Sequence, residues 1–400
     1  MERQLQDAAP HGSEESSALT YGSVCSGIEA ASTAWESLGW RAAWFAEIEK
    51  FPVRVLEQLW ADVPNLGDMT AIAAQVIAGS VPAPDVLVGG TPCQAFSIAG
   101  LRSGLSDQRG QLTLSFVQLA NAIDTARSFR GKPPCVITWE NVPGVLSTKD
   151  NAFGCFLGAL AGEDVPLQPP GRKWSNAGYV LGPKRAVAWR TLNAEYFGIP
   201  QRRRRVFVIA SARDGFDPGK VLFESEGVRR DSAPRRAEGQ DAAAGTLRST
   251  DGGCDVDHAI AGHIQAYGGG RTSGSLDVAA CLTAKGQRLD FEVETFALQA
   301  VSVFDPLQIT SAGNRSKPTP ELCHTLPRKA EPPIAFGGVR VRRLMPVECE
   351  RLQGFPDGHT AVTVRGKPAA DGPRYKAIGN SMAVPVMRWI GRRIDAELRK

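Results

Sequence analysis

Four positions in this 400-residue chain set chemically capable side chains directly after short apolar runs. T-Y-G-S-V-C runs into Ser26, Gly27, Ile28 and Glu29; W-R-A-A-W-F-A runs into Glu47 and Ile48; D-V-L-V-G runs into G-T-P-C-Q with Gly90, Pro92 and Cys93; and P-C-V-I-T-W runs into Glu140 and Asn141. In an open α/β sheet, ligands bind beyond the carboxyl ends of the strands, so one edge would gather a glycine turn, two carboxylates and a thiol. Glu47 follows Gly27 by twenty residues, the separation at which a nucleotide-binding β-α-β unit sets an acid on ribose hydroxyls. The competing reading is a solvated surface glutamate. Only one glycine of the phosphate-cradling fingerprint is present, which disfavours a pyrophosphate and suits a nucleoside without phosphates, such as S-adenosylmethionine.

Cys93 sits where Pro92 fixes the backbone and small neighbours allow close approach. Such a cysteine is either a small core filler or a nucleophile. With no histidine adjacent, a Cys-His protease arrangement fits poorly, and Glu140 is the nearer partner. Glu140 can equally be read as a helix cap or a hydrogen-bonded core glutamate. The run Gln201 to Arg205 leads straight into an apolar strand, so its arginines alternate between sheet faces. Arg203 and Arg205 share a side, facing a phosphate or a polar base edge.

Lys plus Arg at 46 against Asp plus Glu at 42 gives a net charge of +4, too small to announce a nucleic-acid partner by itself. No stretch approaches the apolar length of a membrane span, and the polar first residues lack a signal peptide's apolar core. The expectation is a cytoplasmic protein without a membrane partner. The eight cysteines form no C-x-x-C pair and have no histidine at zinc-ligand spacing, so neither a disulfide scaffold nor a metal site is expected.

These residues require a scaffold of repeated β-α units with a mainly parallel sheet and helices on both faces. After a mobile tail at 1–18, the first strand is followed by a helix with Ile28, Ala31, Ala34, Trp35 and Leu38 on one face, stopped by Gly39. D-V-L-V-G and P-C-V-I-T-W read as buried strands four and five, and R-V-F-V-I-A as a later strand. Beyond Ser211, about 120 residues rich in glycine, serine, arginine and alanine read as a second, loop-rich domain, with order returning near Val339. Three related strings recur in it irregularly: G-T-L-R-S-T at 245, C-L-T-A-K-G at 281 and C-H-T-L-P-R at 323. Ser381 to Lys400 reads as a helix with Met382, Val386, Trp389, Ile390 and Ile394 inward, and the preceding G-P-R-Y-K-A-I-G-N-S as a turn.

Taken in order, G-T-P-C-Q-A-F-S-I-A-G, E-N-V, Q-R-R-R-R-V-F-V-I, R-R-L-M-P-V-E-C-E-R-L-Q-G-F-P and Y-K-A-I-G-N-S-M-A-V-P closely resemble the DNA (cytosine-5) methyltransferases, in particular their bacterial and phage-borne members. The resemblance runs from about Leu19 to the C-terminus and is loose in the middle. It implies a Rossmann-like, class I S-adenosylmethionine-dependent methyltransferase domain over 19–212 and 372–400, with a target-recognition domain over 213–371. It makes Cys93 the nucleophile on carbon 6 of the target cytosine, Glu140 the group at ring nitrogen 3, and Arg205 with Arg203 the basic pair near the base carbonyl and backbone. The cofactor would lie among Ser26, Gly27, Ile28, Glu29, Glu47, Ile48, Asp68, Met69, Gly90, Pro92, Asn380 and Ser381, so the C-terminal helix must fold back onto the first strands. A flipped nucleotide would meet Gln94, Ser97 and Arg109, and Thr283 belongs to the threonine-leucine element expected to read DNA.

The implied partner is double-stranded DNA, with any cognate restriction endonuclease acting separately on a monomeric enzyme. Transfer RNA and a non-catalytic, DNA-binding role are the rival readings. The long middle insert disfavours the first, and the intact thiol, carboxyl and arginine set disfavours the second. In two places the chain departs from the pattern: Cys25 replaces the usual aromatic and Glu29 the second glycine, as in some phage-type members, while Ile48 stands where an aromatic often follows the acid. Stacking on adenine is then expected either to be weaker or to be supplied by Phe45.

Overall fold

The computed structural model describes residues 18–91, 110–224, 264–266, 295–301 and 338–400. Its centre is a seven-stranded sheet of β1 (Thr20–Val24), β2 (Arg41–Ala46), β3 (Val86–Gly89), β4 (Val136–Asn141), β5 (Ala177–Leu181), β6 (Ala186–Asn193) and β7 (Arg204–Ser211), in the order β2-β1-β3-β4-β7-β6-β5. The first four pair in parallel and the last three join antiparallel, so β7 and β5 alone run against the rest. The strand counted as fourth from sequence is thus third here. Beyond β2 the edge shrinks to a single bridge between Phe45 and Asn65, beside Pro64, whose missing N–H cannot extend a ladder.

Apolar runs become buried strands because helices cover both faces. One face packs Tyr21, Phe45, Val86 and Val136 under α1 (Ala30–Trp35) and the C-terminal helix. The other packs Val24, Trp44, Leu87, Ile137 and Trp139 under the long helix Gly110–Phe129 and the helix Ala152–Ala161. Gly22 is required where β1 meets β2, since a Cβ there would stand 2.3 Å from the Trp44 indole. The α1 helix is shorter than expected. It begins after Ile28 and gives way to a 3-10 turn at Glu36–Leu38, closed by Gly39 at φ 74° as the sequence indicated.

The C-terminal helix, Val384–Leu398, does fold back across the first strands. Trp35 Nε1 donates to the Met387 carbonyl at 2.8 Å and Trp40 Nε1 to Asp395 at 3.0 Å. Val386, Ile390 and Ile394 are buried as expected, while Met382 and Trp389 are only half-buried. The segment read as a turn is instead the helix Asp371–Asn380. Its Gly372 and Pro373 lie in the first helical turn, where a missing N–H leaves no bond unmade. The helix Pro218–Leu222, together with Leu344, Cys349, Leu352, Phe355 and Val362, joins the core under this side of the sheet. Residues 213–224 and 344–371, expected in the recognition domain, therefore contribute to the body of the sheet domain. A separate antiparallel sheet is formed by Ile264–Ala266, Thr295–Val301 and Gly338–Arg343.

Candidate active site

The chain passes from β1 to β2 at one side of the sheet and returns on the other side of β1 to form β3, so the carboxyl ends of β1 and β3 flank a topological switch point. A cleft of about 1540 Å³ opens there. Its volume exceeds the range of a single small-molecule site, about 300–1,000 Å³, and leaves room for two ligands.

One half of the cleft is built on the turn after β1. Gly27 adopts φ 58°, and its N–H donates to Glu47 Oε2 at 2.8 Å. Glu47 Oε1 accepts from the N–H groups of Ile48 and Glu49, at 2.9 and 2.8 Å. Glu47 thus ties the end of β2 to the glycine turn and is not the solvated glutamate of the rival reading. Glu29 also takes the left-handed conformation, at φ 57°, a strain of about 1–2 kcal/mol for an L-residue. Its carboxylate compensates by capping α1 at Ser32. Ser26, Asp68, Met69, Gly90, Asn380 and Ser381 line the same cleft, and Ile48 stands 73% exposed at its wall.

Two expectations for this half are corrected. Ile28 is fully buried in the core and does not line the cleft; what it offers the turn is a carbonyl that bonds His359 Nε2 at 2.7 Å. Phe45 is likewise buried, edge-on to Trp60, because β2 alternation turns it toward the helices. Its ring cannot stack on a ligand in the cleft.

The other half is built on β4 and β7. Glu140 is 8% exposed, and its Oε1 lies 3.0 Å from Arg205 Nε, a close ion pair without the alignment of a hydrogen bond. Burial pushes the Glu140 carboxyl above its ordinary pKa, while Arg205 and then Arg203 pull it back. Arg203 is 2% exposed, and its Nη2 donates to the carbonyls of Gly379 and Ser381 at 3.1 and 2.6 Å. Of the expected basic pair, Arg205 therefore faces Glu140, while Arg203 anchors the Asn380 turn to the sheet.

Neighbours of Glu140 also hold the segment leading to Cys93. Trp139 Nε1 donates to Thr91 Oγ1 at 2.9 Å, and Asn141 Nδ2 donates to the Thr91 carbonyl at 2.8 Å. Thr91 is fully buried, two positions before Cys93. Pro92, Cys93, Gln94, Ser97, Arg109 and Thr283, together with the three recurring strings, lie outside the described residues.

The sequence profile of the C-5 cytosine-specific DNA methylase family matches residues 19–221 and 283–396. This chain belongs to that family. The C-5 methylase chain is 45% identical over 467 aligned positions to the DNA N-6-adenine-methyltransferase of Escherichia phage P1, a match covering 94% of this chain and 61% of that protein. It is also 24% identical over 381 positions to type II methyltransferase M2.BsuMI of Bacillus subtilis, covering 93% of this chain and 74% of the relative. The match thus spans less than two thirds of the phage relative's length. Among solved structures, S. pombe Dnmt2 methyltransferase shares the fold at TM-score 0.54 and 16% identity, covering 94% of this chain and 99% of that one.

Enzymes of this family use S-adenosylmethionine, and the cleft suits it. The cleft offers a glycine turn open to close approach, acids at Glu29, Glu47 and Asp68, and a wall of Met69 and Ile48 for an apolar ring face. Sequence reasoning missed the roles of Trp139 and Asn141 as a clamp on Thr91, and missed Lys376 and Gly372 as cleft residues because their helix was read as a turn. The signal for the clamp was their position on either side of Glu140 at the end of a strand that pairs with β3.

Asn141→Ala removes the bond to Thr91 and leaves the Gly27 to Glu47 turn untouched. The methylase turnover number is expected to fall about tenfold to a hundredfold, with dissociation constants for S-adenosylmethionine within about twofold of wild type. Single-turnover kinetics and calorimetry check this. A variant with normal turnover and weakened cofactor binding would contradict the clamp.

Proposed function

We propose that this methylase transfers a methyl group to carbon 5 of a cytosine flipped out of a specific duplex DNA sequence. The observation that carries the reading is the continuity of the cleft: the Gly27 to Glu47 turn and the Glu140 to Arg205 pair line one cavity, at whose wall Thr91 leads to Cys93. Carbon 5 of cytosine is not nucleophilic enough to take a methyl unaided. Addition of the Cys93 sulfur to carbon 6 while Glu140 delivers a proton to nitrogen 3 leaves an enamine whose carbon 5 is nucleophilic. A buried carboxyl with a raised pKa suits that proton delivery, and Arg205 orients it. S-adenosylmethionine supplies the electrophilic methyl. Loss of the carbon 5 proton to solvent and departure of the Cys93 thiolate, with the nitrogen 3 proton returned to Glu140, then restore the aromatic ring and the enzyme. Because carbon 6 is shielded inside the duplex, the base must leave the stack first. Likeness to type II and phage methyltransferases favours a role in restriction-modification or protection of phage DNA, with any endonuclease a separate protein.

A second reading, methylation of the adenine N6 amino group, is favoured by the name of the phage P1 relative. An exocyclic amine needs no sulfur adduct on the ring, so a family site with a thiol, a buried carboxyl and an arginine favours cytosine. The test is to incubate the protein with unmethylated plasmid, parallel transfer RNA and methyl-labelled S-adenosylmethionine, then to digest both nucleic acids to nucleosides and identify the labelled ones by mass spectrometry. Label in 5-methylcytosine of DNA is expected. Label in N6-methyladenine or in transfer RNA would replace this reading with the corresponding rival, and label in neither would favour a non-catalytic DNA-binding protein.

A further inference from the structure

The turn between β1 and α1 is strained: Cys25, Gly27 and Glu29 take φ of 49°, 58° and 57°, two of them without glycine's freedom. Such a backbone persists only where its surroundings hold it. Glu47 holds the Gly27 N–H, and Glu29 caps the helix that follows. Between them, the Ile28 carbonyl is held from the far end of the chain by His359 Nε2 at 2.7 Å. His359 is 5% exposed, its ring stacked on Phe355 at 4.3 Å and edge-on to Trp60 at 5.8 Å. Burial lowers its pKa by more than the Ile28 bond and the charges of Glu350 and Glu36 raise it, so at neutral pH the ring is uncharged and carries one N–H. A carbonyl only accepts, which puts that hydrogen on Nε2.

A second buried group aims the ring. Glu350, closed to solvent, accepts from the N–H groups on either side of His359, from Gly358 on Oε2 at 2.8 Å and from Thr360 on Oε1 at 2.9 Å. Oε1 also accepts from the Thr360 hydroxyl and lies 3.3 Å from Arg374 Nη2, on the helix that ends at Asn380. We propose that His359 is a positioning residue for cofactor binding: by holding the Ile28 carbonyl it keeps the Gly27 turn in the shape that S-adenosylmethionine meets. His359 itself does not line the cleft, so it acts through the turn. The bond joins residues 331 positions apart, and without it the carbonyl of a fully buried residue would lose its partner.

The inference rests on the cleft being the cofactor site, and its test separates the two. Calorimetry with S-adenosylhomocysteine on the full chain would compare wild type with His359→Phe, which keeps an aromatic ring but has no N–H, and with His359→Gln, whose side-chain amide can donate. The Phe variant is expected to bind about tenfold more weakly, with the KM for S-adenosylmethionine raised by a like factor and a smaller change in turnover, and the Gln variant to recover most of the loss. Unchanged affinity in the Phe variant, even with a shifted melting temperature, would make His359 a packing residue and overturn the proposal, as would a Gln variant no better than Phe. Nitrogen-15 spectra of the five histidines of wild type test the contact without substitution. One imidazole is expected with a bare Nδ1 and an Nε2–H protected from exchange, which shifts when S-adenosylhomocysteine is added. The absence of any such ring would overturn the contact even where the variants fail to fold. Wild type that binds no S-adenosylhomocysteine would instead overturn the cofactor site, leaving the bond to Ile28 in place.

Discussion

With Cys93 replaced by serine, methyl transfer to DNA is expected to fall by about a thousandfold or more, while DNA and S-adenosylmethionine are still bound. A serine hydroxyl is far less acidic than a thiol, and no histidine adjoins position 93 in the sequence to activate it. The enamine that makes carbon 5 reactive would not form. The buried Thr91, held by Trp139 and Asn141, fixes where the segment bearing Cys93 begins, and that anchor is the same in the variant. Methyl incorporation and gel-shift binding on one duplex measure the two halves of the expectation. Activity near wild type would remove Cys93 from the mechanism, and joint loss of binding and activity would point to a structural defect instead.

Glu140→Gln is expected to reduce turnover by about a hundredfold to ten-thousandfold, the range set by loss of a general acid. Glutamine keeps the size and a hydrogen-bond donor but cannot give up a proton to nitrogen 3. The sign of the pH dependence follows from the environment. Burial raises the Glu140 pKa, so its neutral, proton-giving form persists above the ordinary carboxylate range and is lost as pH rises through the raised value. Wild-type turnover should therefore fall on the alkaline side of that pKa, and the glutamine variant should lack this limb. Arg205, 3.0 Å away, opposes the shift, so Arg205→Met should move the limb to higher pH as well as slow the reaction. A glutamine variant with an unchanged pH profile would assign the limb to another group.

Much of the scaffold was legible because it follows from local chemistry. Runs such as V-L-V-G and V-I-T-W are apolar at all but one position, as strands covered on both faces require, and both are buried. Gly39 stops its helix in the left-handed conformation that glycine adopts without strain. The helix Asp371–Asn380 was not legible: Gly372, Pro373 and Gly379 are turn formers by type, and what holds them in a helix is packing against the core through Ala377 and Ile378. Phe45 and Ile28 were misassigned for a related reason. Both residues adjoin the ligand edge in the chain, yet their side chains turn toward the helices covering the sheet.

The order of residues along this chain was enough to determine which groups gather at the sheet edge. A strand delivers whatever follows it to the edge where ligands bind, and that rule needs only the positions of Gly27, Glu47, Gly90 and Glu140. Which of those groups face one another was decided by tertiary structure alone. Arg203 and Arg205 are the same residue type, two positions apart, one just before β7 and the other on it. One is committed to the carbonyl of Gly379, 176 residues away, and the other pairs with Glu140. Charge and periodicity are properties of a segment, whereas a partner is a property of what packs against it. The division of labour between these two arginines therefore existed only once the C-terminal helices had closed over the sheet.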